Sequence, residues 1–180
     1  MRIHSKAFRR VALPALLAAL AACGGDPSKG NSSSASPQDT VALLTDADKL
    51  IQDGEFEGAI KLITQGRDKV EKGSADEKEL VLLEVKARAD DDAEMASKVF
   101  LTFAEAHPDA TTPKDFKYAV SELRTYSQFV PAIAVMDKGK KRWPDDPDMN
   151  KLLAMLIKDS ENDAGAASAL KGLGYASGKE

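Results

Sequence analysis

The sequence predicts an all-α fold, built as an array of antiparallel helical hairpins. Aromatic residues make up only 6% of the 180 residues while 43% are hydrophobic, so the core must consist mainly of Leu, Ala, Val and Ile, which favours packed helices over sheets. A small residue followed four positions on by a large apolar one recurs at Ala59, Ala96 and Ala132, with spacings of 37 and 36 residues. Capping signals divide the chain between these copies.

Residues 1–22 have the pattern of a signal peptide. Four basic residues precede segment 11–22, which is apolar apart from Pro14 and is too short to span a bilayer as a helix. The segment ends in Leu20-Ala21-Ala22-Cys23, which resembles the lipobox of bacterial lipoproteins. This resemblance implies that Cys23 is acylated and becomes the mature N-terminus, and that Gly24 directs the protein to the outer membrane. An ordinary secretory signal with a chance cysteine is the alternative.

Residues 23–38 are predicted to be a lipidated cysteine followed by a flexible tether, since ten of the 15 residues in 24–38 are Gly, Ser or Pro. A helical domain over 39–175 and a short tail over 176–180 follow. Once residues 1–22 are removed, 21 basic and 29 acidic residues remain, a net charge of −8. Such a chain has no general attraction for nucleic acid.

Capping signals and turn residues mark the boundaries of several predicted helices. Ser74 to Glu77 reads as a capping box, and Thr112-Pro113 and Asp146-Pro147 each read as an N-cap followed by Pro at the first helical position. Turns between paired helices are expected at Gly54, at Asp90–Asp92 and at Ser127. The predicted helices lie near 40–53, 55–72, 76–89, 93–106, 113–126, 129–142, 147–158 and 163–172. Leu173 and Tyr175 are expected to fold back as a cap on the last helix.

This pattern resembles the tetratricopeptide repeat, a helix-turn-helix unit of about 34 residues, in three to four copies. The best copy spans 116–144, and a weaker fourth copy has Ala166 with Leu170. Pro108 and Pro144 each come 12 residues after a repeat alanine, where a helix is expected to have ended. The glycine usual in the first helix of this repeat is absent, with Glu84 at that position in the second unit.

The resemblance implies a concave α-solenoid groove lined by the first helix of each pair. Matching each unit to the repeat pattern places eight polar residues there: Lys78, Arg88, Lys114, Lys117, Ser121, Arg124, Lys151 and Lys158. The apolar residues Val81, Val85 and Met155 fall at the same positions. This locally basic stripe indicates a binding site for an acidic segment of another protein, and the alternative is a solvated helix face.

Little in the sequence indicates catalysis. Without residues 1–22, His107 is the only histidine, and it lies in a predicted turn before Pro108. Asp90–Asp92 and the acidic run at 145–148 lack the spacing and the glycine of a calcium loop. A single cysteine excludes a disulfide framework. We therefore expect neither an enzyme nor a bound metal or cofactor.

The predicted function is a protein-protein interaction scaffold or adaptor of the bacterial cell envelope, anchored in the outer membrane and facing the periplasm. Its expected role is to support assembly of an envelope machine for pili, secretion or outer-membrane assembly, by analogy with other repeat lipoproteins. Two alternatives stay open: a cell-wall or glycan-associated protein, including a weak hydrolase, and a structural spacer without a dedicated ligand.

Overall fold

The computed structural model describes residues 37–175, so the predicted signal peptide, Cys23 and the tail at 176–180 lie outside the described residues. Within the described range the chain is all-α, as predicted. None of the helices in that range combines the length and the hydrophobicity of a membrane span. Its helices are α1 Pro37–Gln52, α2 Phe56–Arg67, α3 Ala75–Arg88, α4 Ala93–Ala106, α5 Pro113–Thr125, α6 Phe129–Arg142, α7 Pro147–Asp159 and α8 Ala164–Gly172, with a 3-10 turn at Pro108–Ala110.

Successive helices pack as hairpins that stack into an array. The pairs α1–α2, α3–α4 and α5–α6 are closely packed, and the first helices α1, α3, α5 and α7 lie side by side in that order. The last pair differs, because α7 packs on α5 and α6 while α8 packs on α6, with little contact between α7 and α8. Helix α8 has only nine residues and buries only Ala166 and Leu170, which leaves it too little apolar surface to cover a second neighbour.

The predicted capping and turn residues lie at helix boundaries. Ser74 accepts a hydrogen bond from the Glu77 N–H at 3.1 Å, but the Glu77 carboxylate reaches back to the N–H of Gly73 at 2.7 Å rather than to that of Ser74. Gly54 and Ser127 occupy equivalent turns with positive φ, 77° and 59°. These left-handed residues reverse the chain between α1 and α2 and between α5 and α6.

Helix α2 is shorter than predicted, ending at Arg67 instead of near residue 72. The chain turns after Arg67, and the Lys72 ammonium donates a hydrogen bond to the Arg67 carbonyl at 2.8 Å, satisfying one of the carbonyls that a helix end leaves unpaired. Val70 packs against the apolar cluster of Ala47, Ile63 and Leu80. Partial burial of Val70 in this series of turns outweighs the helical pattern of 68–72.

The main core runs through α3 to α8 and includes the repeat alanines Ala96 and Ala132, whereas Ala59 of α2 lies in a small cluster with Ile51 and Ala87. Ala59, Ala96 and Ala132 are all completely buried. An aromatic chain crosses this core: the Phe100 and Phe116 rings meet edge to face at 4.8 Å, and the Phe116 and Trp143 rings at 5.3 Å. These contacts connect α4, α5 and the end of α6.

The first hairpin joins the array through two small apolar clusters and a partly buried charge network, which we call the Glu84 network. The Glu84 carboxylate, 3% exposed, accepts hydrogen bonds from Arg67 at 2.8 Å and from Arg88 at 2.9 Å. Arg67 also lies 3.8 Å from the buried carboxylate of Glu77. A charged residue is therefore accommodated at a position where the repeat pattern expects a small one, because two guanidinium groups neutralise it.

At the end of the described chain, Tyr175 folds back as expected, but onto α6 as well as α8. Its hydroxyl lies 3.2 Å from Asp137 Oδ1, and its N–H donates a hydrogen bond to the Leu170 carbonyl at 2.9 Å. Leu173 covers the last helix less than predicted, since its side chain remains 39% exposed. Leu173 lies beside Val130 of α6 on an open apolar surface.

Candidate binding groove

Part of the predicted basic stripe does form one surface. Lys117, Ser121, Lys151 and Met155 line a shallow groove of about 290 Å³ between α5 and α7. Lys114 is exposed near the start of α5, and Lys158 is exposed near the end of α7. The stacking of α5 beside α7 therefore brings together residues that are more than 30 positions apart in the sequence.

Several of these cations already have acidic partners on the next first helix. Lys117 lies 2.5 Å from Asp148 of α7, and Arg124 lies 2.5 Å from Asp159 of the same helix. One unit earlier, Lys78 of α3 lies 3.6 Å from Asp115 of α5. These pairs connect successive units and neutralise much of the stripe.

The predicted groove face of α3 requires a correction. Val81 and Val85 are completely buried in the main core, so neither can contact a partner. Arg88 belongs to the Glu84 network and also lies 3.1 Å from Asp92. Helix α3 lies between the first hairpin and α5, and its rotation turns the valines toward α4 and α5 because burying two apolar side chains there is favourable.

Three cations of the stripe form no ion pair within 4 Å among residues 37–175, namely Lys114, Lys151 and Lys158, although Lys151 lies near enough to Asp148 to help lower the pKa of that carboxyl. All three are exposed. Exposed lysines on separate helices are well hydrated, and each contributes little to binding by itself. The unpaired positive charge on this face is therefore spread out instead of concentrated in one pocket.

A larger groove lies on the same side of the array, across α1, α3 and α5, and we call it the α1–α3–α5 groove. It encloses about 600 Å³, within the range of about 300–1,000 Å³ typical of ligand pockets. Half-buried apolar side chains from all three helices form its floor, with polar residues of α1 and α3 at its edges. Its lining includes Leu44, Thr45 and Asp48 of α1, Glu79, Leu82 and Leu83 of α3, and Tyr118 of α5.

Charged groups surround the apolar floor unevenly. Lys86 of α3 donates a hydrogen bond to Asp48 of α1 at 2.7 Å across one side of the groove. Burial raises the pKa of the Tyr118 phenol well above its usual range, with smaller contributions from the nearby carboxylates of Glu122 and Asp48. Tyr118 is therefore neutral at physiological pH, and its hydroxyl faces a region of negative potential.

The Asp48–Lys86 pair gives a testable pH dependence. The hydrogen bond from Lys86 is the main cause that holds the pKa of Asp48 below its usual value, assisted by Gln52. A carboxyl whose pKa is lowered by folding contributes stability above its unfolded pKa, and that contribution is lost as the pH falls through the folded value. We expect Lys86→Ala to raise the Asp48 pKa, measured from the carboxyl carbon shift by NMR, whereas Lys61→Ala on the exposed face of α2 should leave it unchanged.

Sequence reasoning did not identify this groove. Leu44, Leu82 and Leu83 have the spacing of core residues, and they do pack partly against the apolar clusters. Their partial exposure in the groove depends on how α1, α3 and α5 stack, which the sequence does not show. The spacing in α1 offered one signal, because Leu44 and Asp48 share one helix face.

His107 and the aspartates at 90–92, which the sequence analysis considered for catalysis or metal binding, lie in a packing contact and in a turn. The His107 ring packs against Phe103 at 5.3 Å between centroids, and its Nε2 lies 3.9 Å from Glu77. The aspartates at 90–92 form the turn between α3 and α4. Within residues 37–175 there is no cluster of three or more His, Cys, Asp or Glu side chains that could hold a metal ion.

Comparisons with known proteins identify no relative of this chain. No protein-family model, no curated protein and no solved structure matches this chain. The candidate site therefore depends on its geometry and on the resemblances noted in the sequence.

Proposed function

We propose that this protein is a protein-protein interaction scaffold of the bacterial envelope, held at the outer membrane by a lipid on Cys23 and facing the periplasm. The helical array presents its first helices to a partner protein, and the tether before α1 gives that array reach from the membrane surface. In this role the protein brings components of an envelope machine together and has no catalytic activity of its own.

The observation that carries this proposal is the α1–α3–α5 groove. It offers a half-buried apolar surface formed by side chains of three different helices, and such grooves are the usual binding sites of amphipathic segments. Covering this apolar floor would remove it from water, which would stabilise a complex with a partner.

Site-specific photo-crosslinking tests whether a protein occupies the groove. A photoreactive phenylalanine analogue replaces Thr45, which is exposed and lines the groove, in the lipidated protein in its own cells. The control carries the same analogue at Lys61, which is exposed on α2. We expect an adduct of defined mass from position 45 and none from position 61. Absence of a position-specific adduct would favour the spacer function.

The membrane anchor is tested separately through Cys23. We expect Cys23→Ser to abolish labelling with radioactive palmitate and to leave the protein unprocessed or released from the membrane fraction. Cys23 is the only cysteine in the chain, so no other thiol can carry the acyl group. Palmitate labelling and membrane fractionation equal to those of the parent protein would contradict the lipoprotein assignment.

A further inference from the structure

We propose that the α1–α3–α5 groove binds an apolar partner segment that carries basic side chains, and that one basic group lies over the Tyr118 ring near Glu122. This inference rests on the proposed scaffold function and specifies the partner's chemistry. It replaces the acidic segment that the basic stripe predicts.

The first step is that four of the seven cations of the stripe, Lys78, Arg88, Lys117 and Arg124, are already paired with carboxylates of this chain. Lys78, Lys117 and Arg124 each have an aspartate within 4 Å on the next first helix. An acidic partner would have to displace those aspartates, exchanging one ion pair for another of similar strength. Partly exposed pairs of this kind contribute little net free energy, so the exchange offers little affinity.

The second step is the shape of the apolar floor. Leu44, Leu82 and Leu83 are half-buried and adjoin the Tyr118 ring across three helices. Covering these side chains removes apolar area from water, at about 25 cal/mol per Å². A segment with large apolar side chains at helical spacing suits such a floor, as in other helix-in-groove complexes.

The third step is the sign of the charge at the rim. Glu79 of α3 and Glu122 of α5 have no basic partner among the described residues, whereas Asp48 is already paired with Lys86. Of the residues that line the groove, Glu79 and Lys49 have no ion-pair partner within the described structure, and Glu122 lies near enough to Tyr118 to accept a hydrogen bond from its hydroxyl, so the groups without an ion-pair partner are two carboxylates and one ammonium. The carboxylates favour a basic partner over an acidic one.

Tyr118 completes the site for a cation. Its ring borders the groove, and the carboxylates of Glu122 and Asp48 lie near enough to raise the phenol pKa. A lysine or arginine side chain placed over an aromatic ring is attracted by the ring quadrupole, and partial desolvation strengthens that attraction. The groove therefore combines an apolar floor, an aromatic ring and uncompensated carboxylates in one place.

Binding of designed peptides tests the charge preference directly. The probes are three fluorescein-labelled peptides of about 12 residues with leucine at identical helical positions and with lysine, glutamate or serine between them. They are titrated at physiological ionic strength with the full-length lipidated protein in neutral detergent, and binding is measured by fluorescence anisotropy. We expect the lysine peptide to bind about tenfold more tightly than the glutamate peptide, with the serine peptide in between.

Two variants locate the binding. The double variant Glu79→Lys with Glu122→Lys should weaken the lysine peptide by about tenfold and remove its advantage over the glutamate peptide. The matched control, Glu57→Lys with Glu94→Lys, makes the same charge change at exposed positions on second helices and should alter binding by less than about twofold. Thr45→Trp should reduce binding of all three peptides by filling the groove, while circular dichroism confirms that helicity is retained.

Each contrary outcome overturns the inference in a distinguishable way. Tighter binding of the glutamate peptide, lost on reversal of Lys151 and Lys158, would assign the partner site to the basic stripe and leave the scaffold function standing. Equal losses in the groove and control variants would mean that overall charge determines binding. If no peptide binds although position 45 crosslinks to a protein, the inferred partner chemistry is wrong, and if neither occurs, the scaffold function fails as well.

Discussion

Replacing Phe100 with alanine is expected to lower the free energy of unfolding by about 3–5 kcal/mol, the usual cost of truncating a buried phenylalanine. Phe100 is completely buried, and its ring meets that of Phe116 edge to face. The truncation removes this ring contact and opens a cavity at the junction of α4 and α5. The cavity persists because the surrounding helices are held by other units and relax only partly.

Chemical denaturation followed by circular dichroism at 222 nm measures the effect. Met95→Ala is the matched control, since Met95 is a large apolar residue of the same helix that is 38% exposed, and it should cost less than about 1 kcal/mol. A loss of similar size in both variants would mean that α4 does not contribute Phe100 to a shared core.

The second large effect is expected at Glu84. Replacing Glu84 with alanine leaves the guanidinium groups of Arg67 and Arg88 without their shared carboxylate. Removing one partner of a fully buried pair costs about 3–5 kcal/mol, and because both arginines are partly exposed to water we expect about 2–3 kcal/mol here. Arg67 Nε already has no hydrogen-bond partner within the described structure, so the substitution leaves further donors of the same guanidinium unpaired.

Hydrogen exchange locates this effect in the molecule. The Glu84 network lies between the first hairpin and the rest of the array, so amide protection in α1 and α2 should fall more than protection in α5 and α6. Glu79→Ala, on the exposed side of the same helix, is the matched control and should leave exchange in all four helices unchanged. Uniform loss of protection along the chain would instead show that the array unfolds as a single cooperative unit.

Local signals in the sequence account for most helix positions. The capping residues Ser74 and Asp146 and the turn residue Gly54 act through the backbone of their own segment, and such short-range hydrogen bonds and φ preferences can be predicted without knowing the neighbours. The end of α2 could not be predicted in this way. It depends on Val70 packing against residues of α1 and α3, which are distant in sequence.

The candidate site likewise combines features that the sequence predicts with features that depend on the packing of distant segments. The sequence predicted a groove lined by first helices, and in the structure Lys117, Ser121 and Lys151 line one groove between α5 and α7. Their aspartate partners Asp148 and Asp159 could not be assigned from sequence, because each pair joins residues more than 30 positions apart. Such pairing depends on the lateral offset of neighbouring helices.

Composition, periodicity and capping act locally along the chain, so the helical class, the order of the hairpins and the small repeat alanines could be predicted from the sequence. Which leucines remain half-exposed and which charges remain unpaired depends instead on how the helices stack. Burial of Leu82 and neutralisation of Lys117 both depend on the distance and rotation between stacked helices, and these are set by the packing of the whole array. The location of the α1–α3–α5 groove and the sign of its rim follow from that packing.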